Sequence, residues 1–146
     1  MFSSKKFLSK EEQKTIIEAI QAAEKETSGE IKVHIEKNFK DDEPLTRAQE
    51  VFAKLNMHKT EQRNGVLFYI AVDDKQFAIY ADKGINEKVD VDFWNEVRNV
   101  TQAEFRKGNF VKGIADGVAL TGKSLKTHFP YQLGDINELP DDISFG

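Results

Sequence analysis

The stretch Val66-Leu67-Phe68-Tyr69-Ile70-Ala71-Val72 decides the fold, because it is the longest uninterrupted apolar run in the chain. It is too short to span a membrane and is typical of a central strand that is covered on both faces. Turn residues bound it on both sides, with Asn64-Gly65 before it and Asp73-Asp74-Lys75 after it. We therefore expect this strand in the middle of a small sheet.

The neighbouring segments predict the strands that pair with the central one. Upstream, apolar and polar residues alternate from Ile31 to Glu36, which is typical of a strand buried on one face, with His34 on the polar, solvent-facing side. Helical spacing from Leu45 to Asn56 lies between the two strands, so they should be parallel and joined by a right-handed crossover. Downstream, residues Gln76 to Asp82 should return antiparallel as a hairpin partner.

Three further helical patterns surround these strands. Ser9 followed by Glu12 is a capping-box signature that opens the first helix, and Gly29 is suited to a left-handed cap near its end. Two more helices are predicted from about residue 92 to 107 and from about 110 to 127. Four helices can cover both faces of the sheet. The predicted fold class is α/β, a three-layer α/β/α sandwich around a small mixed β-sheet, formed as one domain by residues 1–131.

Composition and charge limit the possible functions. The chain has 146 residues and a net charge of −4, from 21 basic and 25 acidic residues. Four of the acids lie in residues 132–146, which hold no basic residue and are predicted to be an acidic irregular C-terminal tail. The remaining body is balanced, which argues against nucleic acid as a partner. The absence of Cys excludes disulfides, thiolate catalysis and Cys-ligated zinc.

The beginning of the sequence predicts the location. Its first residues include two lysines, but no apolar core of a signal peptide follows them, and no segment is long and apolar enough to cross a membrane. We therefore expect a cytoplasmic location. We also expect the chain to be a monomer.

The string Gly117-Val118-Ala119-Leu120-Thr121-Gly122-Lys123-Ser124 matches the phosphate-loop pattern letter for letter. A phosphate loop must follow a buried strand and open a helix, so that its backbone N–H groups wrap the phosphates. Here the preceding residues have helical spacing. We therefore expect a packed helix, with Gly113 and Gly117 allowing close helix contact, and no nucleotide as a partner.

Topology brings three turn motifs to one edge of the predicted sheet, which we name the motif edge. They are Ser28-Gly29-Glu30, Arg63-Asn64-Gly65 and Asp82-Lys83-Gly84. The two parallel strands begin at this edge, and the antiparallel strand ends there.

The motif edge offers two kinds of ligand. Oxygen ligands that suit Ca²⁺ or Mg²⁺ come from Glu30, Asn64 and Asp82. Arg63 and Lys83 could instead hold an anion. The plain alternative is ordinary turn chemistry, with structural turns at Gly29, Gly65 and Gly84.

The opposite edge, which we name the carboxyl edge, carries a second acidic group. Ligands usually gather at the carboxyl ends of parallel strands in open α/β sheets. The alternative cation site there consists of Asp41, Asp73 and Asp74, with Asp42 and Glu43 beside them in the sequence. A solvated acidic loop is the competing interpretation.

The motif-edge strings resemble a known family, the TPM-domain proteins (thylakoid acid phosphatase-like). The resemblance is carried by Thr27-Ser28-Gly29-Glu30-Ile31, Arg63-Asn64-Gly65-Val66-Leu67, Asp74-Lys75, Ala81-Asp82-Lys83-Gly84-Ile85-Asn86 and Phe105-Arg106-Lys107-Gly108. It covers about residues 7 to 127, and the string Asn137-Glu138-Leu139-Pro140-Asp141 is similar to a short soluble bacterial subgroup. The chain reads Asp82-Lys83-Gly84 where many relatives read Gly-x-Gly.

The resemblance implies an α/β/α sandwich and divalent-cation binding. It also implies acid phosphatase activity, as in a plant thylakoid member linked to photosystem repair. By the same resemblance, bacterial relatives work with membrane or envelope proteins.

Three functions follow from these observations. The first is a binding or accessory module that holds Ca²⁺ or Mg²⁺ and serves the maintenance of membrane or envelope proteins. The second is a metal-assisted phosphomonoesterase, in which Glu30 and Asp82 hold the metal and Arg63 or Lys83 holds the phosphate oxygens. The third is an interaction domain without an ion, which would use the acidic tail. Binding ranks above catalysis because no nucleophile or general base is evident beyond the carboxylates.

Overall fold

The computed structural model describes residues 8–40, 43–132 and 142–146. The helices among these residues are α1 (Lys10–Glu24), α2 (Pro44–Lys54), α3 (Lys83–Asn86), α4 (Asn95–Arg106) and α5 (Phe110–Leu125). The strands are β1 (Glu30–Glu36), β2 (Gly65–Ala71), β3 (Gln76–Ala81) and β4 (Ile143–Phe145).

The sheet is mixed and has the strand order β3-β2-β1-β4. β1 pairs parallel with β2, with Glu30 opposite Gly65, and β2 pairs antiparallel with β3, with Val66 opposite Ala81. All seven residues of β2 are buried. The central position of β2, the parallel pair and the returning hairpin partner are confirmed.

Two apolar cores lie on opposite faces of the sheet. On one face, α1 packs against α5 and β1, and α5 packs against α4. On the other face, α2 packs against β2 and β3. Alternate β2 residues belong to the two cores, with Phe68 in the larger one and Tyr69 in the smaller one. The fold class is therefore the predicted α/β sandwich of three layers.

The first helix begins as its sequence predicts. The Ser9 hydroxyl accepts from the Glu12 N–H at 3.1 Å, and the Glu12 carboxylate accepts from the Ser9 N–H at 2.8 Å. This reciprocal pair is a complete capping box.

The phosphate-loop-like string lies within helix α5, as predicted. Its glycines are sites of close packing: a Cβ on Gly117 would collide with the Thr101 hydroxyl, and one on Gly122 would lie 2.8 Å from the Ala23 Cα. Gly113 likewise allows the Phe105 ring to pack closely against α5. The glycines therefore bring α5 close to α4, β2 and α1.

Within the described residues, no helix combines the length and apolarity needed to cross a membrane.

The prediction that β1 is buried on one face only is wrong. All seven β1 residues are buried, including Lys32, His34 and Glu36. His34 is 5% exposed and does not have the predicted surface position. The physical reason is that its face of β1 is covered and its polar groups are paired, as described below.

The prediction of an irregular tail over residues 132–146 is wrong at its end. Residues Ile143–Phe145 form β4, which pairs parallel with β1 over Val33–Ile35. Ile143 is 5% exposed and joins the larger core. The backbone edge of β1 supplies the partners that make this short segment a strand. A further difference is α3, a short helix where the sequence predicts only the break after the hairpin.

Candidate functional site

The structure brings the three motif-edge strings together. The Glu30 N–H donates to the Asn64 carbonyl at 3.2 Å, and the Asp82 N–H donates to the Gly65 carbonyl at 2.9 Å. Glu30, Asn64 and Asp82 are all buried. The predicted cation ligands therefore lie at neighbouring strand ends.

The Asp82 carboxylate is already engaged at this edge. Arg63 donates to it twice, from Nε to Oδ2 at 2.7 Å and from its terminal nitrogen to Oδ1 at 2.9 Å. The Lys83 N–H adds a third bond to Oδ1 at 2.7 Å, so Asp82 also caps α3. The hydrogen bond to Asp82 raises the pKa of Arg63. The predicted anion ligand Arg63 thus pairs with a predicted metal ligand.

Close backbone approach explains the glycines of the motif edge. A Cβ on Gly84 would lie 2.5 Å from the Arg63 carbonyl oxygen, and the Gly84 N–H donates to that same oxygen at 2.9 Å. Arg63 itself has a φ of 51°, in the left-handed region. Gly29 does not adopt the predicted left-handed conformation, and a Cβ there would press on Leu125 at 3.1 Å. Small size, rather than positive φ, is what this edge requires of Gly29 and Gly84.

The carboxyl edge joins two loops through aspartates. The Phe39 N–H donates to the Asp74 carboxylate at 3.0 Å, and the Asp73 N–H donates to the Lys37 carbonyl at 2.8 Å. The Asp73 carboxylate lies 3.8 Å from the Lys37 ammonium, and both side chains are about half exposed. Such an exposed ion pair contributes little to stability. Asp41, the third predicted ligand of this edge, lies outside the described residues, as does Asp42.

A buried polar cluster, which was not predicted from the sequence, lies beside β1 on the α2 face of the sheet. The Glu36 carboxylate accepts from Arg47 on α2 at 2.9 and 3.0 Å, and from the Tyr69 hydroxyl on β2. His34 lies 3.1 Å from Glu36 through Nε2 and 2.8 Å from the Ser144 hydroxyl through Nδ1. One signal was present: a tyrosine inside an apolar strand needs a partner for its hydroxyl.

These contacts perturb the pKa values of the cluster. Burial alone would raise the pKa of Glu36, but hydrogen bonds from His34, Arg47 and Tyr69 outweigh it and lower the pKa to about 2. Burial and the bond to Glu36 raise the pKa of Tyr69, and the bond to Glu36 raises that of Arg47. Glu36 is therefore a buried anion, stabilised by Arg47 and by hydrogen bonds.

Ser144, His34 and Glu36 follow one another in the order of a hydrolase relay, hydroxyl, imidazole and carboxylate. Such a relay needs a carboxylate that stabilises the imidazolium as it forms. Glu36 accepts four hydrogen bonds, which fills the lone pairs of a carboxylate, and Arg47 neutralises its charge. We therefore interpret this row as a structural contact between β4 and β1 and not as a catalytic relay.

No group of three or more His, Asp or Glu side chains in residues 8–40, 43–132 and 142–146 is arranged to hold a metal ion. Either edge would thus offer a cation at most two described carboxylates. Weak coordination, completed by backbone oxygens and water, is the chemistry that fits such an arrangement.

Several solved protein structures have the same fold as this chain. The BA42 protein from the psychrophilic bacterium Bizionia argentinensis, solved by NMR, is 51% identical, with 96% of each chain covered and a TM-score of 0.91. The N-terminal domain of a P. gingivalis protein, also solved by NMR, is 15% identical, with 86% of this chain and 82% of that chain covered and a TM-score of 0.68. The latter likeness shows the fold alone.

A third solved structure gives a similar result. The N-terminal domain of the cg2496 protein from Corynebacterium glutamicum is 14% identical, with 80% and 73% of the two chains covered and a TM-score of 0.65. A search of curated proteins found no match. The family model TPM_phosphatase, described as the TPM domain, matches residues 1–124. The chain therefore belongs to the TPM domain family.

Proposed function

We propose that this TPM domain is a binding module that takes up a divalent cation weakly at the carboxyl edge, with Ca²⁺ preferred over Mg²⁺. The observation that carries the proposal is the bond from the Phe39 N–H to the Asp74 carboxylate at 3.0 Å. It holds the loop after β1 against the hairpin turn, next to the half-exposed carboxylate of Asp73. A cation there would join the two loops that meet at the edge.

The chemistry of this edge favours Ca²⁺. Its ligands are loop carboxylates and backbone oxygens, and Ca²⁺ accepts such irregular, flexible coordination while Mg²⁺ requires near-octahedral geometry. Asp73 and Asp74 supply the described carboxylates, and Asp41 remains a third ligand expected from the sequence. So few charged ligands correspond to a dissociation constant of roughly 10⁻⁴–10⁻³ M.

The motif edge is the weaker candidate for the cation. Asp82 would have to exchange its two bonds from Arg63 and its bond from Lys83 for the metal, whereas Asp73 would give up only a half-exposed contact with Lys37 at 3.8 Å. The same engagement weighs against a metal-assisted acid phosphatase, which would need Asp82 for the metal and Arg63 for the phosphate oxygens. Binding is therefore preferred over catalysis. A membrane or envelope protein as the partner remains a proposal that rests on the family resemblance.

The first prediction separates the two edges by thermal unfolding with and without about 10 mM Ca²⁺, roughly a hundredfold excess over the lower dissociation constant. At that excess, binding to the folded chain should stabilise it by about 2.7 kcal/mol, and by about 1.4 kcal/mol at the weaker limit of roughly 10⁻³ M. We expect Asp74→Asn to lose most of this rise, because it removes one charge from the carboxyl edge and nearly keeps its shape.

Asp82→Asn is the matched control. It should lower the melting temperature through the Arg63 contact, yet retain its own rise with Ca²⁺. Loss of the rise only in Asp82→Asn would move the site to the motif edge. If the wild-type chain shows no rise at all, both the cation and the metal-assisted phosphatase are excluded.

A further inference from the structure

The outer edge of β1 is protected at two places. Near its start, the Ile31 N–H donates to the Glu24 carboxylate of α1 at 2.8 Å. Further along, β4 covers Val33–Ile35. Such an edge is a ready template for another extended segment wherever its cover is removed.

Each position of the covering segment meets a different feature of β1. Ile143 is 5% exposed in the larger core, and the Ser144 hydroxyl shares a hydrogen bond with His34 at 2.8 Å. Phe145 is half-buried opposite Ile35, and the Gly146 N–H donates to the Ile35 carbonyl at 2.9 Å. The groove therefore selects an apolar residue, a hydroxyl residue and a second apolar residue in turn.

The last position of the groove selects glycine by size. A Cβ on Gly146 would collide with the Glu36 carboxylate and lie 3.0 Å from the His34 Nε2. Glu36 cannot swing aside at low cost, because Arg47 holds both of its oxygens. The polar cluster around Glu36 therefore forms the floor of a groove with a defined sequence preference.

The attachment of β4 is small. It has three residues in register with β1, of which only Ile143 is buried, and two further hydrogen bonds, between Ser144 and His34 and from Gly146 to Ile35, complete it. Short elements with few buried apolar side chains open locally at a lower free energy than the whole fold. The groove should thus become accessible while the rest of the domain stays folded.

We propose that the outer edge of β1 is a docking groove for an extended peptide segment with the pattern apolar, Ser or Thr, apolar, Gly, running parallel to β1. Residues 143–146 occupy it as an exchangeable internal ligand. A partner segment of that pattern replaces them by strand addition, with backbone bonds giving affinity and the alternate side chains giving specificity. The groove is independent of the cation proposed above.

Amide exchange and peptide competition on the ¹⁵N-labelled full chain test this proposal. The Gly146 N–H should exchange at least about 100-fold faster than the Phe68 N–H, because it is released by local opening. An unlabelled synthetic peptide with the sequence of residues 140–146 should displace the internal segment. Since the tethered segment competes at an effective concentration of about millimolar, half displacement requires peptide in that range. Resonances of Ser144 to Gly146 then move to unstructured positions.

The control is the same peptide with Gly146→Val, whose side chain collides with the Glu36 carboxylate. It should displace at least about tenfold less at equal concentration, the effect of roughly one unfavourable contact. Exchange of Gly146 as slow as that of Phe68 would overturn the proposal. Failure of the first peptide at several millimolar, or equal action of both peptides, would overturn it as well.

Discussion

The Glu36 carboxylate accepts four hydrogen bonds. It lies on the face of β1 that the sequence predicts to be exposed to solvent. The alternation of apolar and polar residues is the same for a solvated face and for a polar cluster that is covered by Arg47 and β4. Local periodicity does not distinguish them, because the cover comes from α2 and β4, which lie outside the strand's own sequence. The single local signal was Tyr69, whose hydroxyl requires a partner inside an apolar strand.

Acid should unfold the chain in part through Glu36. Its pKa is about 2 in the folded chain against an ordinary 4.5, so below pH 5 the unfolded chain binds more protons there than the folded one. The contribution of Glu36 is therefore complete above about pH 5 and is lost as the pH falls toward 2. The loss should be about 3 kcal/mol in the free energy of unfolding, measured by urea titration at each pH.

Tyr69→Phe isolates that contribution. The variant removes one donor to Glu36, which raises the folded-state pKa, so the loss between pH 5 and 2 should be smaller than in the wild-type chain. Tyr80→Phe is the control, since the Tyr80 ring packs on Phe52 on the same face of the sheet and is expected to leave the acid dependence unchanged. Identical acid dependence in the wild-type and Tyr69→Phe chains would show that Glu36 does not depend on this bond.

The glycines of the phosphate-loop-like string in helix α5 are explained by close helix packing and not by phosphate binding. Its glycines face α4, β2 and α1 at distances that leave no room for a Cβ. The sequence predicted this helix correctly because the apolar period runs through the string and no strand precedes it. Helix packing at such distances requires the smallest side chain on one partner.

Gly122→Ala should destabilise the chain by about 1–3 kcal/mol, the usual cost of overpacking. The added Cβ lies 2.8 Å from the Ala23 Cα and 3.0 Å from its carbonyl oxygen, and a backbone cannot yield as a flexible side chain can. Lys123→Ala, at an exposed position of the same helix, should change the free energy of unfolding by less than about 0.5 kcal/mol. Chemical denaturation measures both. Equal stability of Gly122→Ala and the wild-type chain would refute the close α1–α5 contact.

Strand β4 is too short to be predicted from the periodicity of its residues. Three residues give no pattern that distinguishes a strand from a loop, and their partner β1 lies over a hundred positions earlier. Of the five longer segments upstream of α4, by contrast, four carry a helical or alternating pattern of their own, and β2 is marked by its uninterrupted apolar run between turn residues. This is why the sandwich, the parallel pair and the hairpin could be predicted, while the edge strand could not.

For the molecule as a whole, the order of helices and strands along the chain determines which loops lie at the same edge of the sheet. This part of the candidate site can be predicted from the sequence. A helix between two strands makes them parallel, so the motif edge and the carboxyl edge could both be predicted. What the side chains do at each edge depends on their pairing. The bidentate Arg63–Asp82 contact and the Asp74–Phe39 bond arise only in the folded chain.

The central claim is weak cation binding at the carboxyl edge, and an amide NMR titration of the full chain with Ca²⁺ tests it most directly. The proposal predicts saturable shifts at Lys37, Phe39, Asp73 and Asp74 with a dissociation constant of roughly 10⁻⁴–10⁻³ M. Mg²⁺ should produce smaller shifts at the same amides. Shifts centred instead on Glu30, Asn64 and Asp82, or no saturable shift up to about 10 mM Ca²⁺, about tenfold above the weaker limit, would contradict it.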